Sequence, residues 1–163
     1  MNTYAFQKYH KETMARVKGS SLGISHKISI EICNAIRKKN LKDAKAFLKR
    51  VLAFKEAVPY KRFKESRGHK PGMAAGGYPE KASEEILALL ESVEANAQFK
   101  GLNTAHLIII HINANKAGMV RRLGRHRGRK TKRTSIEIVV EERKDAVKEK
   151  KQLVKKEKTI KND

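Results

Sequence analysis

The sequence predicts an α+β fold: three helices packed on a small antiparallel three-stranded sheet, with a long basic β-hairpin arm and a lysine-rich C-terminal tail. Three observations support this prediction. Apolar residues recur at the helical period in three stretches, two β-rich runs follow them, and a basic segment without acidic residues separates the two runs. We divide the chain into an N-terminal extension at 1–13, a single domain at 14–142 and a tail at 143–163.

The first element is an extended segment at 14–22. Its two basic side chains, Arg16 and Lys18, point to one side of the strand, and the apolar residues beside them point to the other. The Gly-Ser-Ser step at 19–21 predicts a bulge or an early end of this strand. The residues that precede it, 1–13, show no clear period.

The first helix is predicted from an N-cap at Ser25 to about Lys39. Its apolar stripe is Ile28, Ile32, Ala35 and Ile36. The charged residues expected to face outward are Lys27, Glu31, Arg37 and Lys38. Cys33 lies beside the stripe, and a small buried thiol is the favoured interpretation over a nucleophile.

A second helix begins at Asn40, which is followed by an aspartate three residues later, and Pro59 prevents its continuation. Its stripe is Leu41, Ala44, Leu48, Val51 and Leu52, with Phe47 alongside. A third helix begins near Pro79 or Glu80 and ends at Gly101. Its buried side is Ala82, Ile86, Leu89, Leu90, Val93 and Ala97.

Residues 59–79, between the second and third helices, are basic and rich in glycine, and they predict an irregular loop. Three aromatic residues, Tyr60, Phe63 and Tyr78, are spaced through it. Aromatic rings among cations can stack on bases, or they can hold a long loop against its own domain. The sequence leaves both alternatives open.

Two β-rich runs at 106–112 and 134–141 are natural partners in the sheet, and the third helix must cover their apolar face. The residues expected to be buried together are Ile86, Leu90, Ile108, Ile110, Ile136 and Ile138. The connection between the runs is far longer than that of an ordinary hairpin, which predicts an extended arm at 116–134. The tail at 143–163 is predicted to be a frayed helix or disordered.

Composition excludes several classes of protein. The single cysteine excludes an internal disulfide framework and a zinc site built on several thiolates. No apolar run approaches the roughly 18 residues of a membrane-spanning helix, and the N-terminus lacks the pattern of a secretory signal. Neither a phosphate-binding GxxxxGK[ST] loop nor an HExxH motif occurs. We therefore expect no enzymatic activity, no cofactor, no metal site and no membrane partner.

Charge points instead to a polyanion. The chain carries 38 Lys+Arg against 17 Asp+Glu, a formal net charge of +21, which opposes compaction unless an anionic partner neutralises it. The segment 118–133 contains no acid, and its cations alternate with glycines that let the backbone approach closely. Arginine offers planar forks to phosphates and stacks on bases. This segment is therefore predicted to contact nucleic acid.

Several stretches, taken in order, carry a resemblance to a known family. They are ARVKG at 15–19, ISHK at 24–27, NLKDA at 40–44, VPYKRF at 58–63, YPEKA at 78–82, ANAQFKGL at 95–102, HINANKA at 111–117 and RRLGRHRGR at 121–129. The chain resembles, over about 14–142, the large-subunit ribosomal protein family numbered twenty-two in bacteria and seventeen in eukaryotes. The insertion at 59–79 is similar to one in its archaeal and eukaryotic members.

The resemblance implies a cytoplasmic structural constituent of the large ribosomal subunit that binds several rRNA domains and takes part in subunit assembly. It implies contacts with neighbouring ribosomal proteins and, through the hairpin, with the nascent polypeptide in the exit tunnel, and it implies no homo-oligomer. The rRNA-binding residues expected from charge and resemblance are Arg16, Lys18, Lys27, Arg62, Arg67, Lys70, Lys116, Arg121, Arg122, Arg125, Arg127, Arg129, Lys130, Lys132 and Arg133. The expected tunnel-lining residues are Arg121, Arg122, Leu123, Gly124, Arg125, His126, Arg127, Gly128 and Arg129.

The hairpin departs from the family pattern in one respect. Arg125, Gly128 and Arg129 match, but His126 stands where the family has a small residue, and fewer residues precede Ile136. The arm is therefore expected to be shorter than in the family. The alternative to a ribosomal protein is a free-standing basic module that binds RNA or DNA.

Overall fold

The computed structural model describes residues 4–143, so the predicted tail lies almost wholly outside the described residues. The described chain contains three α-helices and eight β-strands. In chain order they are β1 (Met14–Leu22), α1 (His26–Ile36), α2 (Leu41–Leu52), β2 (Val58–Pro59), β3 (His69–Lys70), β4 (Met73–Gly77), α3 (Glu80–Phe99), β5 (Leu107–Lys116), β6 (Val120–Arg121), β7 (Lys130–Thr131) and β8 (Thr134–Glu142). Short 3-10 turns occupy Thr104–His106 and Gly124–His126.

The main sheet is antiparallel and has the strand order β1-β8-β5, so the last strand of the domain lies at its centre. Helix α3 packs on β1 and β8, α1 packs on β5, and α2 packs on α3. The pairing of β1 with β8 shifts register between Gly19 and Leu22, which confirms the predicted bulge. The predicted combination of three helices with an antiparallel three-stranded sheet is confirmed.

One core lies between the helices and the sheet. Its large, fully buried side chains are Ile32, Ile36, Leu41, Leu48, Ile86, Leu90, Leu107, Ile109, Ile112, Ile136 and Ile138. The predicted start of the second helix and the predicted bounds of the third agree with the structure, and Gly101, at φ 75°, follows the end of α3 as expected. No helix within 4–143 is long and apolar enough to cross a membrane.

The predicted burial of Ile108 and Ile110 is wrong. Both side chains are only half-buried, whereas Ile109 is fully buried. The pairing of β5 with β8 shifts register between Ile109 and His111, which leaves Ile110 as the extra residue of a bulge. Because a bulge reverses the alternation of faces, odd positions of β5 are buried before it and even positions such as Ile112 after it.

Helix α1 ends earlier than predicted. Lys38 adopts φ 62°, and its backbone amide donates to the carbonyl of Ile109 at 3.0 Å. The amide of Ile109 donates in return to the carbonyl of Lys39, also at 3.0 Å. The amide of Lys38 and the carbonyl of Lys39 therefore form hydrogen bonds with β5 and not within the helix, and the helix ends at Ile36.

The segment 59–79 is not irregular throughout, which corrects the prediction. Strands β2, β4 and β3 form a second small antiparallel sheet in the order β2-β4-β3. Gly76 and Gly77 are buried in β4, and a methyl group at Gly76 would come within 2.8 Å of the sulfur of Met73. A larger residue at Gly76 would therefore require the Met73 side chain to shift.

The N-terminal extension lies across the face of the main sheet opposite the helices. The amide of Ala5 donates to the Glu137 carboxylate at 2.9 Å, and the rings of Phe6 and His111 lie 5.3 Å apart between centroids. Glu137 alternates along β8 with the core residues Ile136 and Ile138, so it points away from the helices. The sheet is thus covered on both faces.

Beyond the main sheet, the chain between β5 and β8 continues as an antiparallel pair. Val120 pairs with Thr131 and Arg121 with Lys130. The amide of Arg122 donates to the carbonyl of Arg129 at 3.0 Å, and a 3-10 turn closes this end.

Candidate nucleic-acid interface

The predicted cations between β5 and β8 form the most exposed group. Every residue from 118 to 130 is exposed, and Leu123 is 92% exposed. Six cations of this segment were predicted to bind RNA: Arg121, Arg122, Arg125, Arg127, Arg129 and Lys130. Within 4–143, their side chains form no ion pair, no side-chain hydrogen bond and no cation–π contact. Their charges are therefore unneutralised by the described part of the chain.

Lys116, Lys132 and Arg133 lie at the base of that segment. Lys116 is exposed and pairs in register with Thr134. The guanidinium of Arg133 donates to the carbonyl of Ser21 at 3.1 Å, and the hydroxyl of Thr134 donates to the carbonyl of Ile24 at 2.9 Å. These bonds join the start of β8 to the end of β1 and the loop that follows it.

Cations of α1 and of 59–79 lie over aromatic rings. The ammonium of Lys27 is 5.4 Å from the centroid of the Phe63 ring, and the guanidinium of Arg62 is 5.3 Å from it. Arg67 lies 4.6 Å from the Tyr60 ring. Cation–π contact orients these charges while leaving their donors free for an anion.

Tyr60, Phe63 and Tyr78 were predicted either to stack on bases or to hold their segment against the domain, and the structure gives a different answer for different residues. Tyr60 is 3% exposed and its amide donates to the carbonyl of Ala75, so it holds the segment to the domain. Phe63 and Tyr78 are half-buried and keep accessible ring surface. Tyr78 contacts Phe54 at 5.4 Å between centroids and has Lys70 5.2 Å from its ring.

The prediction that Glu31 faces outward is wrong. Its side chain is buried, and its carboxylate accepts hydrogen bonds from the backbone amides of Lys61 at 3.1 Å, Arg62 at 2.8 Å and Phe63 at 2.7 Å. A buried carboxylate requires several donors to compensate lost hydration. Glu31 follows Ile28 by three residues, which places it at the edge of the apolar stripe, and this spacing is the signal that could have identified it.

The two predicted cations of β1 already have partners within the domain. The guanidinium of Arg16 lies between the rings of Tyr4 and Tyr9, 4.3 Å from each centroid. The ammonium of Lys18 forms an ion pair of 2.9 Å with Glu137. Burial alone would raise the pKa of Glu137, but hydrogen bonds from Ala5 and Lys18, together with the charge of Lys18, hold that pKa below its ordinary value.

The titratable side chains of the described residues were also predicted to have no role in metal binding. No group of three or more His, Cys, Asp or Glu side chains within 4–143 is placed to hold a metal ion. Cys33 is buried as predicted, and its burial raises the pKa of its thiol to about 12, so it is a poor nucleophile. What the arrangement offers is oriented positive charge beside accessible rings.

Comparison with known proteins identifies the family. The family profile described as ribosomal protein L22p/L17e matches residues 17–141. The chain belongs to the ribosomal protein L22p/L17e family. This family is a structural, non-enzymatic component of the ribosome, and the resemblance inferred from the sequence is confirmed.

Several archaeal relatives of this L22p/L17e chain carry the name large ribosomal subunit protein uL22. The relative from Methanosphaera stadtmanae is 42% identical over 149 residues, covering 86% of this chain and 97% of the relative. That from Archaeoglobus fulgidus is 38% identical over 148 residues, covering 86% and 96%. That from Methanopyrus kandleri is 44% identical over 141 residues, covering 81% and 89%.

Proposed function

We propose that this chain is a structural constituent of the large ribosomal subunit that binds large-subunit rRNA and supports subunit assembly in the cytoplasm. We further propose that 116–134 forms a β-hairpin arm that reaches through the rRNA and contributes to the wall of the polypeptide exit tunnel. Membership of the L22p/L17e family and the names of the archaeal relatives support the first part.

The observation that carries the RNA-binding proposal is the acid-free segment 118–133, which is exposed at every residue from 118 to 130. A folded RNA places phosphates close together, and each cation that neutralises one releases condensed counterions. The paired strands β6 and β7 give the segment a backbone that can lie between RNA helices. The domain, with Lys27, Arg62, Arg67 and Lys70 on one side, would then bind RNA at the base of the arm.

Arg16 and Lys18 remain part of the proposed rRNA-binding set, with a second role inside the domain. Arg16 is an exposed residue although its guanidinium contacts two tyrosines, and we propose that phosphate approaches its donors. The contacts of Leu123, His126 and their neighbours with the nascent polypeptide, and those of the domain with adjacent ribosomal proteins, belong to the same proposal.

Co-sedimentation tests the function. The tagged full chain is expressed in an archaeal host, and large subunits are purified in moderate salt. A ribosomal constituent remains with the subunit at stoichiometric yield. A free-standing RNA- or DNA-binding module would dissociate or distribute among other nucleic acids, and that result would overturn the proposal.

A further inference from the structure

A cavity of about 190 Å³ opens between α1, the segment that follows β2 and the base of the proposed arm. Six of its lining residues carry the argument: Lys27, Tyr60, Phe63, Glu65, Arg67 and Lys132. They come from three separate parts of the chain, so the tertiary structure alone brings them together. The volume is smaller than that of a typical drug-sized pocket. A cavity of this size can hold one planar group but not several planar groups stacked on one another.

The lining combines positive charge with an aromatic ring. Lys27, Arg67 and Lys132 supply three positive charges, and Glu65 is the negatively charged member of the same lining, so the net charge of these four is +2. Phe63 is half-buried and presents ring surface among them. Single-stranded nucleic acid is bound by this combination of an aromatic stacking surface with cations along the backbone.

The backbone that carries the Phe63 ring is held in place without a ligand. The buried Glu31 carboxylate accepts the backbone amides of Arg62 and Phe63, which fixes the chain at the edge of the cavity. On its other side, Arg67 lies over the ring of Tyr60, and Tyr60 is buried in the core. A site whose groups are already positioned loses less conformational freedom when a ligand binds.

We propose that this cavity binds one unstacked nucleotide of single-stranded large-subunit rRNA, with its base on Phe63 and its phosphate between Lys27, Arg67 and Lys132. The ammonium of Lys27, which lies 5.4 Å from the centroid of the Phe63 ring, moves to the phosphate when the base takes the ring face. This inference rests on the proposed rRNA-binding function and names one site within it.

The first test compares two phenylalanines. Phe63→Leu and Phe99→Leu each remove one ring, but Phe99 is 95% exposed and does not line the cavity. Binding of a fluorescent short single-stranded RNA to the full chain is measured by anisotropy. We expect Phe63→Leu to raise the Kd by about tenfold, Phe99→Leu to leave it within about twofold, and Phe63→Tyr to retain affinity, because a stacked ring contributes at this level.

The second test compares two lysines of equal charge. Lys27 lines the cavity, whereas Lys64 is an exposed lysine close to Phe63 in the sequence that does not line it. If a local site exists, Lys27→Gln weakens RNA binding by several-fold more than Lys64→Gln does. Equal losses would mean that only the overall charge of the protein matters, and they would overturn the site.

The outcomes separate this site from the proposed function. If all variants bind RNA as the unaltered chain does and remain in large subunits, the site is wrong while the ribosomal function stands. If the unaltered chain fails to enter large subunits, the function itself fails. Melting curves are used to check that Phe63→Leu is folded. If Phe63→Leu weakens the binding of an acidic peptide but not the binding of RNA, the cavity belongs to a protein partner and the inference is overturned.

Discussion

Lys18 and Glu137 are direct cross-strand partners on β1 and β8, and their side chains form an ion pair of 2.9 Å on the face of the sheet that the N-terminal extension covers. The Glu137 side chain is 3% exposed and also accepts the amide of Ala5. One carboxylate therefore joins two strands and the extension.

Glu137→Ala is expected to lower the free energy of unfolding by about 1–3 kcal/mol, because it removes the buried acceptor of the Ala5 amide and one of the interactions of Lys18. Urea unfolding followed by circular dichroism measures it. Glu142→Ala, at a half-buried position of the same strand, is the control. Equal effects of the two substitutions would contradict a special role for Glu137.

The pKa of Glu137 is lower in the folded protein than in the unfolded chain. The contribution of Glu137 to the free energy of unfolding is therefore complete above its ordinary pKa and is lost as the pH falls through the folded value.

Stability is also expected to depend on His111 at mildly acidic pH. Burial lowers the pKa of this residue from 6.5, the charge of Glu137 raises it and that of Arg37 lowers it further. Below about pH 6.5 the unfolded chain therefore binds a proton that the folded chain does not, so stability decreases as the pH decreases. His111→Phe is expected to lose less stability than the unaltered chain between about pH 7.5 and about pH 5.5. Parallel curves of unfolding free energy against pH would show that His111 does not titrate in this way.

The bulge in β5 predicts different costs for neighbouring isoleucines. Ile109→Ala removes a fully buried side chain and is expected to cost about 2–5 kcal/mol, as is Leu90→Ala on α3. Ile108→Ala, half-buried, is expected to cost clearly less than Ile109→Ala in the same denaturant titration. Leu123→Ala, at an exposed position, serves as the control and should change stability by under about 0.5 kcal/mol. A larger cost for Ile108 than for Ile109 would contradict the register.

Loss of the Glu31 carboxylate is expected to release the chain at 61–63. In Glu31→Ala the three amides that Glu31 accepts lose their acceptor, at about 1–3 kcal/mol for each donor that stays buried. Hydrogen exchange at these amides is expected to accelerate, whereas the exposed Glu84→Ala on α3 should leave it unchanged. Unaltered protection at 61–63 in Glu31→Ala would mean that other contacts hold this segment.

Deletion of 119–132, with a two-residue Asn-Gly turn to join the strands, is expected to leave the domain folded, since the deleted segment contributes no residue to the core. The deletion removes seven Lys or Arg residues, so the log–log salt dependence of rRNA binding should become shallower by about 5, at about 0.7 for each phosphate contact. The shortened chain is expected to enter large subunits, measured as its occupancy beside the full chain. Exclusion of a normally folded deletion variant would show that the arm, and not the domain, is the principal attachment.

Local patterns in the sequence determined the three helices, the starts of α1 and α2 just after Ser25 and Asn40, the end of α3 at Gly101 and the bulge in β1, although neither the Ser25 nor the Asn40 side chain makes a capping hydrogen bond. These features depend on neighbouring residues, through apolar spacing and the positions of glycine. The charge of 118–133 was equally evident, because a run without acidic residues needs no fold to be recognised. The collinear motifs sufficed to identify the family.

The tertiary structure decided what depends on residues distant in sequence. Ile110 is a bulge residue in the pairing of β5 with β8, next to Ile109, which exchanges backbone hydrogen bonds with Lys38 and Lys39. Glu31 is buried because three amides some 30 positions away converge on it. Local periodicity predicts that a charged residue is exposed to solvent, because the periodicity contains no information about hydrogen-bond donors from distant parts of the chain. For the same reason, local patterns could not predict that Phe63 and Lys132 line one cavity, because only the tertiary structure brings them together.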